Sequence, residues 1–241
     1  LLIATTDKDM QQEIIENMFS AMEKLEENGF RPCSHLVLTA YVIGRYGNSR
    51  KQDDIVYKLK ESYILLKEKY NNITNEDDYL LCALWSINNI EVEVVNDFIE
   101  NVYDHVADYN IRTKNGVQGL SNAMILNGSS GHMYRNMEFL LQLQKRDIKI
   151  ANQFLPLVGV LSNTNPRRTV DLVEGVIEDL CDKEAEYEFY LDKGFRTIIA
   201  VVIVSFCTIS DKRRYIDELL AHGVISFINS KNKGIFEEAL S

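Results

Sequence analysis

The chain has 241 residues, a formal net charge of −10 and 46% apolar residues. This length allows a large core in one or two domains, and the apolar content excludes a disordered or membrane composition. The acidic excess argues against nucleic acid as a general partner, because phosphate contacts need clustered Lys and Arg.

Export and membrane signals are also missing from the sequence. The longest apolar run, 198–204, is far shorter than the roughly 20 residues of a transmembrane helix. The start lacks the basic and apolar regions of a signal peptide. The cysteines are widely spread and form no C-x-x-C, which predicts reduced, buried thiols in a cytoplasmic protein. The opening "LLIATTDKD" predicts the tail of a helix whose beginning is absent.

Helical spacing dominates from the first segment onward. The first apolar stripe consists of Ile14, Ile15, Met18, Phe19, Met22 and Leu25. Similar stripes begin at Ile55, Val95, Met133 and Val173. Each is followed by a more apolar segment; in chain order these are "CSHLVLTAYVIGRYG", "EDDYLLCALWSIN", "NGVQGLSNAMILN", "ANQFLPLVGVLS" and "KGFRTIIAVVIVSFC". An amphipathic helix followed by a mostly apolar one is typical of outer and inner helices in a repeat array.

The apolar segments align on a small central residue. These positions are Ala40, Ala83, Asn122, Gly159 and Ala200, at spacings of 43, 39, 37 and 41 residues. Periods of this size are typical of helix-pair arrays. The sequence therefore predicts an all-α protein of about five helical hairpins. It leaves open a TPR-like α/α superhelix or a closed α/α toroid. Residues 1–210 are predicted to form the repeat domain, and 211–241 its C-terminal capping helices.

Several stretches resemble an uncharacterised, mostly Gram-positive bacterial family, domain of unknown function four thousand and three (DUF4003). They are "NITNEDDYLLCAL", "NGVQGLSN" and "RDIKIANQFLPLVGVLS". The resemblance extends from about residue 1 to 206 and implies an all-helical protein with no known activity. Where the family tends to place His after Leu-Ser, this chain has Asn122, which weakens the idea of a catalytic histidine there.

The acidic run Glu76-Asp77-Asp78 has two interpretations. As carboxylates in the first turn of a helix capped by Thr74 or Asn75, they would meet unpaired N–H groups and the positive end of the helix dipole. As an acid/base pair they would need to share one substrate atom, but adjacent helical residues point about 100° apart. The helix interpretation is therefore preferred.

The register alignment places polar residues near the starts of the inner helices. The predicted ligand-binding residues are His35, Asp78, Tyr79, Gln118, Asn122 and Arg196. One hypothesis is a polar pocket on the concave side, where Gln118, Asn122 and Arg196 hold an amide, carboxylate or peptide backbone. The alternative is a hydrogen-bond network between repeats that only fixes their register.

No catalytic, metal or cofactor motif is found, since the histidines have no H-x-x-x-H or H-E-x-x-H spacing. The sequence favours a binding or scaffold protein for a peptide, protein segment or small polar ligand, with neither nucleic acid nor membrane as partner. The rival hypothesis is an α/α-toroid enzyme that uses Asp78 and His35. A third is a cytoplasmic regulator that senses a signal peptide.

Overall fold

The computed structural model describes residues 8–47, 51–106, 114–126, 131–159, 165–208 and 215–232. Within these ranges the chain forms eleven α-helices, two 3₁₀ turns and no β-strand, which confirms the all-α prediction. The helices are α1 (Lys8–Glu27), α2 (Ser34–Tyr46), α3 (Gln52–Lys69), α4 (Tyr79–Ile87), α5 (Val92–Val106), α6 (Lys114–Ile125), α7 (Gly131–Lys145), α8 (Leu155–Gly159), α9 (Pro166–Tyr187), α10 (Lys193–Thr208) and α11 (Ile216–Asn232). The 3₁₀ turns, Glu76–Asp78 and Asn152–Phe154, lead directly into α4 and α8.

Neighbouring helices pack in pairs. Helix α1 packs against α2, α3 against α4, α5 against α6, and α9 against α10. The second members also follow one another, with α2 beside α4, α4 beside α6, and α6 beside α8. Helix α7 packs chiefly against α9. Whether the array forms an open superhelix or a closed ring stays a prediction.

The small residues of the inner helices permit close packing. A Cβ atom added at Gly159 would lie 2.8 Å from both the Ala123 Cβ and the Leu120 carbonyl oxygen. A Cβ atom at Gly119 would lie 2.9 Å from Pro156 Cγ. Helices α6 and α8 therefore approach so closely that a side chain at either glycine would force one of them to shift.

The inner helices supply most of the core. Every residue from Tyr79 to Ser86 in α4 is buried, and so are Leu36, Leu38 and Ala40 in α2. Helix α10 is less enclosed. Its residues Ile198, Ala200, Val201 and Val204 are buried, whereas 40% of Ile203 is exposed.

Helix α11 lies across the inner helices of several repeats. It packs against α2, α8 and the 3₁₀ turn before α8. Near its start, the Tyr215 hydroxyl contacts the Asn88 side chain after α4 at 2.8 Å. Near its end, Asn229 donates to the Ser34 hydroxyl at the start of α2 at 3.2 Å. Because Glu218 also accepts from Arg45 in the last turn of α2 at 3.1 Å, α11 spans α2 from its carboxyl end to its amino end.

Two sequence predictions fall wholly or partly outside the described residues. They are the helix tail in the opening residues 1–7, and the predicted capping segment at residues 211–214 and 233–241. The division into a repeat domain and C-terminal capping helices stays a prediction.

Candidate functional site

The acidic segment before α4 forms a helix cap. The Asn75 side chain accepts a hydrogen bond from the Asp77 amide at 3.3 Å, and the Asp78 carboxylate accepts one from the Asn75 amide at 3.0 Å. This reciprocal pattern is a capping box, which satisfies amide groups that a helix start leaves unpaired. The predicted cap is therefore confirmed at Asn75, and the first turn of the segment is a 3₁₀ turn.

Asp78 is a buried carboxyl group with a raised pKa. Burial is the main cause because it disfavours the charged form, and the negative charge of Asp77 raises the pKa further. The hydrogen bond from the Asn75 amide opposes both effects. Burial also raises the pKa of the Cys82 thiol, with Asp78 as the second cause. The surroundings therefore favour a neutral acid at Asp78 and an unreactive thiol at Cys82.

Two contacts join α4 and its preceding loop to α6. The Trp85 indole N–H donates to the Asn122 carbonyl oxygen at 3.2 Å. The Gln118 amide nitrogen donates to the Thr74 hydroxyl at 3.2 Å, and that hydroxyl donates to the Leu66 carbonyl at 3.4 Å. Because the Thr74 proton is used on Leu66, Thr74 can only accept from Gln118, which fixes the orientation of the Gln118 amide.

The same face of α6 carries polar atoms without protein partners. Gln118 and Asn122 are four residues apart, share one face of the helix, and are completely buried. Within the described part of the chain, neither polar atom of the Asn122 side chain has a hydrogen-bond partner, and the Gln118 side-chain oxygen has none either. Such groups cost about 1–3 kcal/mol each when left unpaired.

Asp78 lies between the two contacts in the chain, because it follows Thr74 by four residues and precedes Trp85 by seven. Gln118 reaches Thr74, close to Asp78 in the chain, and Asn122 meets Trp85 at the other end. We name Asp78, Gln118 and Asn122 the α4–α6 seam.

His35 packs against α11. The ring centroids of His35 and His222 lie 5.1 Å apart. The His222 Nε2 atom lies 2.8 Å from the Asp77 carbonyl oxygen, so Nε2 carries the proton and donates. Burial lowers the pKa of His222, while the negative charge of Asp77 opposes this effect. The His35 ring thus packs beside that of a histidine 187 positions further along the chain.

Tyr79 belongs to an aromatic cluster between hairpins. Its ring centroid lies 5.0 Å from that of Phe30 and 4.9 Å from that of Tyr63, both in edge-to-face geometry. Its hydroxyl accepts a long hydrogen bond from the Arg31 amide at 3.5 Å. These contacts give Tyr79 a packing role between α3, α4 and the connection from α1 to α2.

Arg196 is engaged elsewhere. Its guanidinium donates to both carboxylate oxygens of Glu184, at 2.6 and 2.8 Å, and to the Leu191 carbonyl at 3.2 Å. Paired hydrogen bonds of this kind are strong and geometrically specific. The described hydrogen bonds of Arg196 therefore all stay within the α9–α10 hairpin and do not reach the seam.

Two polar residues of interest were missed by sequence reasoning. His222 lies on α11, a segment expected only to cap the array, and Gln153 lies just before an apolar helix. Both are more than nine-tenths buried, and in the described chain their atoms Nδ1 and Oε1 have no hydrogen-bond partner. One signal was available, because Gly223 interrupts a helical pattern and such glycines often mark close packing.

The described residues contain no group of three or more His, Cys, Asp or Glu side chains arranged to hold a metal ion. In the same part of the chain, no helix combines the length and apolar character needed to cross a membrane. The four cysteines differ in exposure: Cys82 is buried and Cys33 is half-buried, whereas Cys181 and Cys207 are exposed. The expected burial is therefore confirmed only for Cys82 and is wrong for Cys181 and Cys207.

The family model described as "Protein of unknown function (DUF4003)" matches residues 1–233. The chain belongs to the DUF4003 family. The resemblance inferred from the sequence motifs is thereby confirmed. No curated protein and no solved structure shows significant similarity to this DUF4003 chain.

Proposed function

We propose that this DUF4003 protein is a binding protein that holds a small polar ligand in the α4–α6 seam. The observation that supports the proposal is the Asn122 side chain, which is completely buried and has no described partner for either polar atom. An asparagine amide presents one acceptor and one N–H donor side by side. The complementary ligand group is another amide or a carboxylic acid, and the Gln118 oxygen can accept a further N–H or O–H.

The alternative, that Asn122 only fixes the register of α4 against α6, explains its side chain less well. The contact between α4 and α6 at this level uses the Asn122 backbone carbonyl, a group that every residue possesses. The second contact uses the Gln118 nitrogen. The Asn122 side chain adds no described hydrogen bond to either contact, so an apolar residue would fix the same register without an unpaired amide.

Burial of the seam limits the size of the ligand. Asp78, Gln118 and Asn122 are each at most 4% exposed, and α11 packs across α2, α8 and the turn before α8. An enclosed amide suits a small molecule or a single inserted side chain better than an extended peptide. We expect the ligand to enter when α4 and α6 separate locally.

The test is native mass spectrometry of the protein purified from its organism of origin. We expect the wild-type protein to carry an additional small mass that is lost on denaturation. Asn122→Leu should carry none. Asn136→Leu is the matched control and should keep the bound mass. Asn136 is also buried, but its amide already donates to the Gly159 carbonyl at 3.3 Å.

Stability of the ligand-free proteins separates the two interpretations of Asn122. If the side chain serves a ligand, Asn122→Leu should stabilise the ligand-free protein by about 1–3 kcal/mol, because an unpaired buried amide is removed. Asn136→Leu should destabilise it by about 1 kcal/mol, because a made hydrogen bond is lost. If Asn122→Leu unfolds the protein and no bound mass is found, the proposal is wrong.

A further inference from the structure

A second group of unpaired polar atoms lies where α11 crosses the 3₁₀ turn before α8. The two elements touch at Gly223, where an added Cβ would lie 2.3 Å from Phe154 Cδ1 and 3.1 Å from the Gln153 carbonyl oxygen. Only a residue without a side chain allows this approach. It places the α11 backbone at Gly223, the residue after His222, against the turn that carries Asn152 and Gln153.

The protonation state of His222 follows from its contacts. A backbone carbonyl can only accept a hydrogen bond, so the nitrogen facing the Asp77 carbonyl must carry a proton. Burial lowers the pKa of His222, which keeps the ring neutral. A neutral ring has one N–H, and the remaining nitrogen is therefore a bare acceptor. Within the described chain, this Nδ1 atom is buried and has no hydrogen-bond partner.

The neighbouring turn adds two more acceptors. The side-chain oxygens of Asn152 and Gln153 are buried, and neither has a hydrogen-bond partner among the described residues. Together with His222 Nδ1, the region presents three lone-pair atoms. We name Asn152, Gln153 and His222 the α11 acceptor site.

We propose that the α11 acceptor site binds a primary ammonium group of a small amine. An ammonium group has three N–H donors and no acceptor, which matches three acceptors that lack donors. The carboxylate of Asp77 acts electrostatically on His222 and so favours a nearby cation. The net charge of −10 attracts cations to the protein as a whole.

This site differs in chemistry from the α4–α6 seam, although Asp77, which contacts His222, directly precedes Asp78 of the seam. The seam offers an amide with both a donor and an acceptor, whereas the α11 acceptor site offers acceptors alone. The seam lies between α4 and α6, and the acceptor site lies between α11 and the turn before α8. Either proposal can therefore fail while the other holds.

The test follows the four histidines of the full chain by nitrogen NMR of protein labelled with ¹⁵N-histidine. The His222→Gln variant assigns the His222 signals by their loss. Methylammonium is the probe, and tetramethylammonium is its control, because it has the same charge and no N–H donor. We expect methylammonium to move the Nδ1 signal of His222 saturably, and tetramethylammonium to leave it in place.

Matched variants locate the binding group. Gln153→Leu removes one acceptor and should weaken methylammonium binding about tenfold or more, since hydrogen bonds to charged groups are the stronger ones. Gln144→Leu makes the same change at an exposed position of α7 and should leave binding unchanged. Asn122→Leu should also leave it unchanged, which separates this site from the seam.

Three results would overturn the proposal. They are the absence of a saturable shift with methylammonium, an equal shift with tetramethylammonium, and unchanged binding in Gln153→Leu. The first is expected if an ordered water molecule satisfies the acceptors. The second indicates a general response to ionic strength, and the third places the amine at another part of the surface.

Discussion

Two buried polar residues on successive turns of α11, Glu218 and His222, differ in how their polar atoms are paired. Glu218 is only 1% exposed and accepts hydrogen bonds from the Tyr46 hydroxyl at 2.7 Å and from Arg45 at 3.1 Å. The Arg45 guanidinium also lies over the Tyr46 ring. Four residues further along the same helix, His222 keeps an unpaired acceptor at similar burial, and so does Gln153 in the turn that α11 crosses.

This contrast distinguishes residues that hold α11 in place from residues that are available to bind a ligand. A buried network in which every member is paired rigidifies the fold, and Glu218 with Arg45 and Tyr46 fastens α11 to the carboxyl end of α2. A buried polar atom without a partner lowers stability and requires an explanation such as a ligand or water. We therefore assign Glu218 to structure, and His222 with the neighbouring Gln153 to binding.

The largest expected effect comes from breaking the network at Glu218. Glu218→Ala leaves Arg45 and Tyr46 without their shared partner and should lower the free energy of unfolding by about 3–5 kcal/mol. Urea denaturation measures this change. The control is Glu61→Ala, which removes an exposed tyrosine–glutamate hydrogen bond to Tyr57 of similar length, 2.7 Å, and should cost well under about 1 kcal/mol. Equal losses of unfolding free energy in the two variants would contradict the structural role of Glu218.

The next effect concerns the close approach at Gly223. Gly223→Ala inserts a methyl group against the buried Phe154 ring and should destabilise the protein by about 1–3 kcal/mol. Gly175→Ala on α9 is the control, because a Cβ there meets nothing within 4 Å. That change should stabilise by about 0.5–1 kcal/mol, since alanine is the better helix former. Thermal unfolding of both variants decides whether α11 is packed as closely as described.

The seam should respond to pH through Asp78. Its pKa is raised by burial, so the stabilising effect of its neutral form is complete below the ordinary carboxyl pKa and is lost as pH rises through the folded-state value. Asp78→Asn mimics the neutral acid and keeps an oxygen for the Asn75 amide. We expect the variant to exceed wild type in stability at pH 7 and to lose this advantage toward pH 4. An advantage that does not change with pH would contradict the raised pKa.

His222 should give a pH dependence of opposite sign. Its pKa is lowered by burial, so its contribution is present above the ordinary histidine pKa of 6.5 and is lost as pH falls through the folded-state value. His222→Gln retains an N–H donor for the Asp77 carbonyl and cannot titrate. The fall in stability between pH 7 and 5 should therefore be smaller in the variant than in wild type. Identical pH profiles of stability would mean that protonation of His222 does not destabilise the fold, which contradicts the lowered pKa.

Much of the fold was predictable because it depends on short-range patterns. The apolar stripe from Ile14 to Leu25 gave α1, and the capping signal at Asn75 gave the start of the α4 segment. Gly159 aligned with the other small residues of the inner helices, and it permits close helix packing against Ala123. These signals act between neighbours in the chain or between successive repeats, where spacing fixes geometry.

The candidate sites were less predictable. Gln118 and Asn122 were found because polar residues are conspicuous on apolar helices, and the structure buries both. Arg196 looked equivalent in the same register, yet Glu184 holds it within the α9–α10 hairpin. Register identifies the level of a side chain on a helix, but the partner depends on which groups meet it in three dimensions.

The sequence by itself determined that the chain is helical, where the α4 segment starts, and which inner helices carry polar residues, because these follow from periodicity and capping. Only the tertiary structure decided where α11 lies and which atoms it leaves unpaired. The contact of His222 with Asp77 joins residues 145 positions apart, and that of Arg45 with Glu218 joins residues 173 apart. No local pattern encodes such contacts, since they depend on the packing of all the helices between them.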